Sequence, residues 1–189
     1  MRVFVGVELD DHVRDAAAEI GDSLRRDLGG QVNARWVPAG NLHVTLWFLG
    51  EVQESRIEPT LDALNAPFAE TAFDLEISGL GAFPPSGEPR VFWLGVTAGG
   101  DALRRINREL AARLQPIGFE AERRPYSAHL TIARVKEMSR ASSYRDLRTM
   151  LAARPAEAGS CRVEAVTVFR SRVSSKGAVY EALQRVRLS

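Results

Sequence analysis

The sequence is poor in the residue types that build covalent staples, metal cages and membrane spans. Its 189 residues include one cysteine, Cys161, so neither an internal disulfide nor a multi-cysteine metal site can form. The three histidines, His12, His43 and His129, are scattered, and none has the local spacing of a zinc-ligand pair. No metal or other cofactor is therefore expected. Lysine is scarce as well: of 25 basic residues only Lys136 and Lys176 are lysine. Arginine suits planar, bidentate phosphate contacts, but so lopsided a count is better explained by genome base composition than by function. Apolar runs stay far below the roughly 18 residues that suggest a membrane span. The N-terminus enters an alternating strand without a charged-then-apolar leader, which points to the cytoplasm. A Gly-rich phosphate loop is missing, and no serine sits in a nucleophile elbow, so ATP use and Ser-His-Asp chemistry are not indicated.

What is present describes an ordinary globular chain, 45% hydrophobic and 26% charged. Its formal net charge is +1 and its pI about 8.0. That is too even a balance for gripping a long duplex through many phosphates, and it leaves room for recognising one phosphate or one nucleic-acid end.

Two stretches stand out. Asn41 to Gly50 reads as a strand in which His43 and Thr45 interrupt an apolar run and share one face, with Leu42, Val44 and Leu46 on the other. Ala128 to Val135 repeats the pattern with His129 and Thr131. Alternation predicts further strands at Arg2–Leu9, Phe73–Leu80 and Val91–Val96, with final strands near Arg162–Phe169 and Ala178–Leu188 joined by a turn at Ser174–Gly177. Helical stripes run through Val13, Ala16, Ala17, Ile20, Leu24 and Leu28, and through Leu103, Ile106, Leu110 and Leu114. Asp10 or Asp11 is placed to cap the first of these helices and Asp101 the second. Shorter helices are expected around Ile57, Leu61 and Leu64, with Pro59 confined to the first turn, and around Tyr144, Leu147 and Leu151 after a polar stretch at Ser142–Ser143. His43 follows Val3 by nearly the interval at which His129 follows Val91, and the next helix and strand follow each histidine in step. The chain therefore reads as one bilobal domain with two copies of a unit, at about residues 1–83 and 90–189, separated by the loop around Pro84-Pro85. Facing lobes would bring both His/Thr faces to a central cleft.

A single His-x-Thr on a strand is more often a buried polar pair satisfied by backbone. Two copies at matching points of a repeat favour chemistry, although a duplication could copy a structural pair too. An imidazole titrates near pH 6.5, so a pair can hold one neutral and one protonated ring and serve as base and acid, each typically worth about 10²–10⁴-fold. Hydroxyls beside them can donate to anionic oxygens without adding charge. Such a set suits a phosphodiester attacked by water from one side with an alkoxide leaving from the other. His12 reads as a solvated residue at a helix start.

These residues resemble the 2H phosphoesterases, in particular the RNA 2′,3′-cyclic phosphodiesterases also called 2′-5′ RNA ligases. The resemblance covers nearly the whole chain. It runs through Arg2–Leu9, Arg35-Trp36-Val37, Leu42–Leu46, Phe48-Leu49-Gly50, Pro89–Leu94, His129–Arg134, Val168–Ser171, Gly177 and Tyr180. It implies an α+β, bilobal duplicated fold: two mainly antiparallel sheets, helices on the outside and a central cleft carrying both motifs. It implies a metal-independent enzyme with His43 as proton donor and His129 as proton acceptor, and with Thr45 and Thr131 on the phosphoryl oxygens. Arg134 matches a family arginine proposed to contact RNA phosphate. Strict alternation puts Arg134 on the face opposite His129, so that role requires a bulge or the strand end. The implied reaction opens 2′,3′-cyclic phosphate ends of RNA, tRNA-like or other, to 2′-phosphates. Reversible, ATP-independent 2′-5′ joining is a side activity. A cytoplasmic monomer without protein or membrane partner is expected. Two departures are visible: Ala128 stands where the family commonly has proline, and Trp47 where it often has a basic residue. Alternation puts Trp47 on the His43 face, either stacking on a base or simply packing. Arg90 and Tyr126 are further cleft candidates, with core or rim packing as the alternative. Competing readings are a non-catalytic RNA- or nucleotide-binding module, and a 2H esterase for a small cyclic nucleotide or sugar phosphate.

Overall fold

Val3, Val5 and Val7 alternate with Phe4, Gly6 and Glu8 along β1 (Arg2–Glu8), so the valines enter the core and the others line the opposite face. The computed structural model to which this strand belongs describes residues 1–122, 124–139, 143–174 and 177–189. In chain order β1 is followed by α1 (Asp11–Leu28), β2 (Val32–Trp36), β3 (His43–Glu51), α2 (Ile57–Ala63), β4 (Phe73–Phe83) and β5 (Val91–Ala98). Then come α3 (Gly100–Leu114), β6 (His129–Met138), α4 (Tyr144–Ala153), β7 (Glu157–Val163), β8 (Ala165–Ser174) and β9 (Gly177–Arg187).

The two long helices bury the stripes their sequences carry. In α3, Leu103, Ile106, Leu110 and Leu114 are fully buried, each contributing about 1.5–3 kcal/mol by leaving water. In α1 the buried positions are Val13, Ala17, Gly21, Leu24 and Leu28. Asp10 takes the N-cap position of α1 but makes no side-chain cap bond. The expected cap at Asp101 is not observed. The N-cap of α3 is Gly99, whose φ of 83° is the left-handed conformation that glycine adopts at least cost, while Asp101 lies inside the first turn and pairs with Arg104. Ser143 caps α4, its hydroxyl accepting from the Asp146 N–H, and Pro59 lies in the first turn of α2.

After α4 the chain holds three strands among the described residues, where two were expected. β7 was hidden because Glu-Ala-Gly-Ser-Cys-Arg-Val has little β-branched content and no simple alternation, yet Ala158, Cys161 and Val163 are buried. The expected turn at Ser174–Gly177 and the polar stretch at Ser142 fall partly outside the described residues, at 175–176 and 142.

All strand pairing between these elements is antiparallel, in the order β7-β4-β5-β6-β3-β1-β8-β9, with β2 also pairing with β6. The nine strands form one continuous sheet, and the two expected sheets are its two ends. One is β3-β1-β8-β9, the other β6-β5-β4-β7 with β2, and they meet through Val44 and Leu130. Pairing crosses between the two halves of the chain: β4 from the first half pairs with β5, and β8 from the second half pairs with β1. Helices pack on the reverse face, α1 against β7 and β6, α3 against β3 and β5, α4 against β4. The face carrying the histidines is left open.

Candidate active site

Val44 and Leu130 are fully buried and face each other, which turns the flanking residues of both strands to the open face. Antiparallel direction about this pair sets His43 on the Thr131 side and Thr45 on the His129 side. The four residues singled out from the sequence therefore converge.

Each histidine is locked in the same way. His43 Nδ1 lies 2.7 Å from the Asn41 carbonyl, and His129 Nδ1 lies 2.8 Å from the Ser127 carbonyl. A carbonyl only accepts, so Nδ1 carries the proton in both rings and each Nε2 is left for chemistry. His43 Nε2 is 3.0 Å from Thr45 Oγ1, the hydroxyl donating to the neutral ring. The turn supplying the Asn41 carbonyl is itself tied down, because Asn41 Nδ2 donates to the Ala178 carbonyl at 2.6 Å.

Their surroundings differ. His43 is stacked on Phe4 with ring centroids 4.6 Å apart and meets Tyr180 edge-on at 5.2 Å, with Phe169 behind at 6.0 Å. His129 meets Phe83 edge-on at 5.0 Å. Burial among these rings penalises the imidazolium of His43 and lowers its pKa to about 4, against the opposing Asn41 carbonyl and with help from the Arg134 charge. His129 is shifted in the same direction, again mainly by burial and with a contribution from Arg134.

Both strands carry a bulge at the same offset. In β3, Thr45 pairs with Gly6 and Trp47 with Val5, leaving Leu46 unpaired. In β6, Thr131 pairs with Trp93 and Ala133 with Phe92, leaving Ile132 unpaired. A bulge puts two neighbours on one face and restarts the alternation beyond them. Leu46 and Trp47 are thus both buried, and the residue returned to the open face is Phe48, 50% exposed against 7% for Trp47. The face expected for Trp47 is corrected and its packing alternative holds: it lies in the core, and Phe48 takes its place on the histidine face, its ring 6.2 Å from that of Phe4. The second bulge returns Arg134 to the His129 face, where its charge acts on both imidazoles. The bulges are held in place: Asn107 Nδ2 donates to the Leu46 carbonyl at 2.8 Å, and the Val37 N–H donates to the Ile132 carbonyl at 2.9 Å.

Tyr126 belongs to this scaffold. Its hydroxyl donates to the Thr45 carbonyl at 3.1 Å, linking the segment before His129 to the strand of His43, and burial raises its pKa. Arg90 pairs with Glu88 and supplies a backbone carbonyl to the Val135 N–H. His12 lies elsewhere, its Nε2–H donating to the Ser160 carbonyl at 2.9 Å. Phe4, Phe48, Phe169 and Tyr180 were not singled out as site residues. For Phe48 the available signal was the apolar doublet, Leu46-Trp47, matched by Ile132-Ala133, directly after each His-x-Thr. Among the described residues no three His, Cys, Asp or Glu side chains cluster as a metal site, and no helix is long and apolar enough to cross a membrane.

Comparison with known proteins adds kinship to this geometry. A family model described as the 2′-5′ RNA ligase superfamily matches residues 10–174. An RNA 2′,3′-cyclic phosphodiesterase of Archaeoglobus fulgidus is 37% identical over 136 residues, covering 72% of this chain and 73% of that protein. One from Methanothermobacter thermautotrophicus is 31% identical over 189 residues, 100% of this chain and 99% of its own. A crystal structure from Thermus thermophilus superposes with a TM-score of 0.78 at 29% identity, covering 100% of this chain and 98% of the other.

Proposed function

Because the chain belongs to the 2′-5′ RNA ligase superfamily, we propose that it hydrolyses 2′,3′-cyclic phosphate ends of RNA to 2′-phosphomonoesters by two-histidine acid-base catalysis. The observation that carries this is the convergence of His43, Thr45, His129 and Thr131 about the Val44–Leu130 pair, with both Nε2 atoms free of backbone.

In the reaction, His129 Nε2 takes a proton from water as its oxygen attacks phosphorus. The bond from phosphorus to O3′ breaks, and His43 Nε2–H delivers a proton to O3′. Thr45 and Thr131 donate their hydroxyl protons to the non-bridging oxygens, and the products are a 3′-hydroxyl and a 2′-phosphate. His129, less enclosed by rings and neutral in the empty site, is fit to act as base at once. His43 must first gain a proton. A phosphate anion against a ring that deeply enclosed favours the imidazolium strongly, so substrate charge supplies the acid form. With the 5′-hydroxyl of a second RNA in place of water, the same steps form a 2′-5′ phosphodiester: His129 takes the hydroxyl proton, the bond from phosphorus to O3′ breaks and His43 protonates O3′. The reverse of this step re-forms the cyclic end, and this is the proposed reversible ligation. The reading extends to a cytoplasmic monomer acting on RNA ends without a protein partner.

The test is RNA ending in a 2′,3′-cyclic phosphate, incubated with excess chelator and analysed for the position of the product phosphate. Expected is a 2′-phosphate, with His43→Ala and His129→Ala each slower by about 10²–10⁴-fold. Full activity in both variants would sink the mechanism. Tight binding without turnover would establish a binding module instead.

A further inference from the structure

We propose that Arg35 joins Arg134, whose contact with RNA phosphate the family resemblance already implies, in a second phosphate subsite that grips the phosphodiester on the 5′ side of the terminal nucleotide. The proposal rests on the cyclic-phosphodiesterase reading above and deepens it.

Arg35 of β2 lies directly opposite Arg134 of β6 in an antiparallel pair. Residues so placed share a face with Cβ atoms about 4.5–5.5 Å apart, and like charges there repel. Acids answer arginines elsewhere: Glu181 serves both Arg170 and Arg172, and Glu70 serves Arg105. Among the described residues neither Arg35 nor Arg134 has a hydrogen-bonding or ion-pair partner, and both are exposed. Two unneutralised guanidinium groups held side by side are a costly arrangement in the empty protein. An anion bound between them removes the cost, and the fork of arginine matches two oxygens of a phosphate.

The place of the pair says which phosphate it takes. The bulge at Ile132 turns Arg134 onto the face of His129 and Thr131, about two residue steps beyond Thr131, or roughly 7 Å. Arg134 lies on the strand that carries His129, and its charge lowers the basicity of both histidines, whereas Arg35 lies on β2, which sits off the main strand order and pairs with β6. The pair thus leads away from the reacting centre, Arg134 inside and Arg35 outside. An RNA end closed as a 2′,3′-cyclic phosphate has only one neighbouring phosphate, the one at its own 5′ oxygen. That phosphate is the anion within reach.

The experiment compares a nucleoside 2′,3′-cyclic phosphate, the same compound bearing a 5′-phosphate, and a dinucleotide ending in the cyclic phosphate. Wild-type protein is expected to favour the two 5′-phosphorylated substrates in kcat/KM, with an advantage that shrinks as salt is raised. Arg35→Gln is expected to cut that advantage by about tenfold, chiefly through KM, with Arg35→Lys in between. The ratio between substrates does not depend on how much of a variant is folded. A wild-type ratio near one, or a ratio unchanged in Arg35→Gln, overturns the subsite while leaving the phosphodiesterase intact. If wild-type protein opens none of the three, the phosphodiesterase reading falls and the subsite falls with it.

Discussion

Val44 faces Leu130 where β3 meets β6, and both side chains are fully buried. Each sits between the histidine and the threonine of its motif, so one apolar contact fixes both His/Thr pairs relative to each other. Leu130→Ala should therefore cost about 2–5 kcal/mol of stability by leaving a cavity. Because the cavity opens beneath both motifs, kcat should fall as well, measured at a temperature where denaturation curves show the variant folded. Loss of stability with unchanged kcat would mean that the seam does not position the histidines.

Gly6 is a sharper probe of the same alignment. A Cβ there would stand 2.8 Å from the Val44 carbonyl oxygen and 3.3 Å from His43 Cδ2, and the carbonyl cannot swing aside as a flexible side chain could. Gly6→Ala is expected to lower kcat/KM by on the order of ten- to a hundredfold through misplacement of His43. Gly40→Ala, where nothing lies within 4 Å of the added atom, is the control and should stay near wild type.

How much of this could be read from residue order depends on what each feature needs. The α3 stripe of Leu103, Ile106, Leu110 and Leu114 was legible because helical periodicity is local. The His-x-Thr pairs were legible because strand alternation is local too, and because they occur twice. Trp47 was misplaced because a bulge is a property of two strands: the extra residue, Leu46, is extra only against Val5 and Gly6 of β1. Arg134 posed the same difficulty: the role implied for it needed a bulge or the strand end, and the extra residue, Ile132, is extra only against Phe92 and Trp93 of β5. The exchange of β4 and β8 between repeats, and the rings of Phe4, Phe169 and Tyr180 around His43, join residues far apart in the chain and leave no local mark. We read the matched order of elements as a duplication of units near residues 1–83 and 90–189 whose fourth strands, β4 and β8, have changed places.

Phe48 and Trp47 should separate cleanly on substitution. Phe48 is half exposed on the histidine face, where its ring is available to a nucleobase, and base stacking on an aromatic is worth about 1–3 kcal/mol. Phe48→Ala should raise KM about tenfold with little loss of stability. Trp47→Ala removes a buried side chain and should cost about 3–5 kcal/mol in unfolding experiments. The reverse pattern would mean that the bulge is misassigned.

Tyr126 reports on the tie between the two halves of the site. Tyr126→Phe deletes the hydroxyl that bonds the Thr45 carbonyl and keeps the ring. Stability should drop by about 1 kcal/mol. The larger effect should be on kcat, since the segment leading into His129 has Ala128 where a stiffer proline would hold it. Equal activity in Tyr126→Phe and wild type would reduce the tyrosine to a packing residue.

The pH dependence follows from the same enclosure. Catalysis needs one imidazole protonated and the other neutral. In the free protein His43 titrates near pH 4, and His129 titrates below the ordinary histidine value of about 6.5. The singly protonated form peaks between the two, so kcat/KM should trace a bell with its maximum between about pH 4 and 6.5 and fall as pH rises further. In the complex the phosphate charge favours both imidazolium forms, so the kcat profile should lie at higher pH than that of kcat/KM. Arg134→Gln removes a cation that depresses both rings. Their pKa values must then rise, and both limbs of the kcat/KM profile should move to higher pH even as the activity itself declines. A kcat/KM maximum above pH 7.5 in the wild type, or limbs that do not move in Arg134→Gln, would show that the arginine and the aromatic enclosure do not set the basicity of the pair.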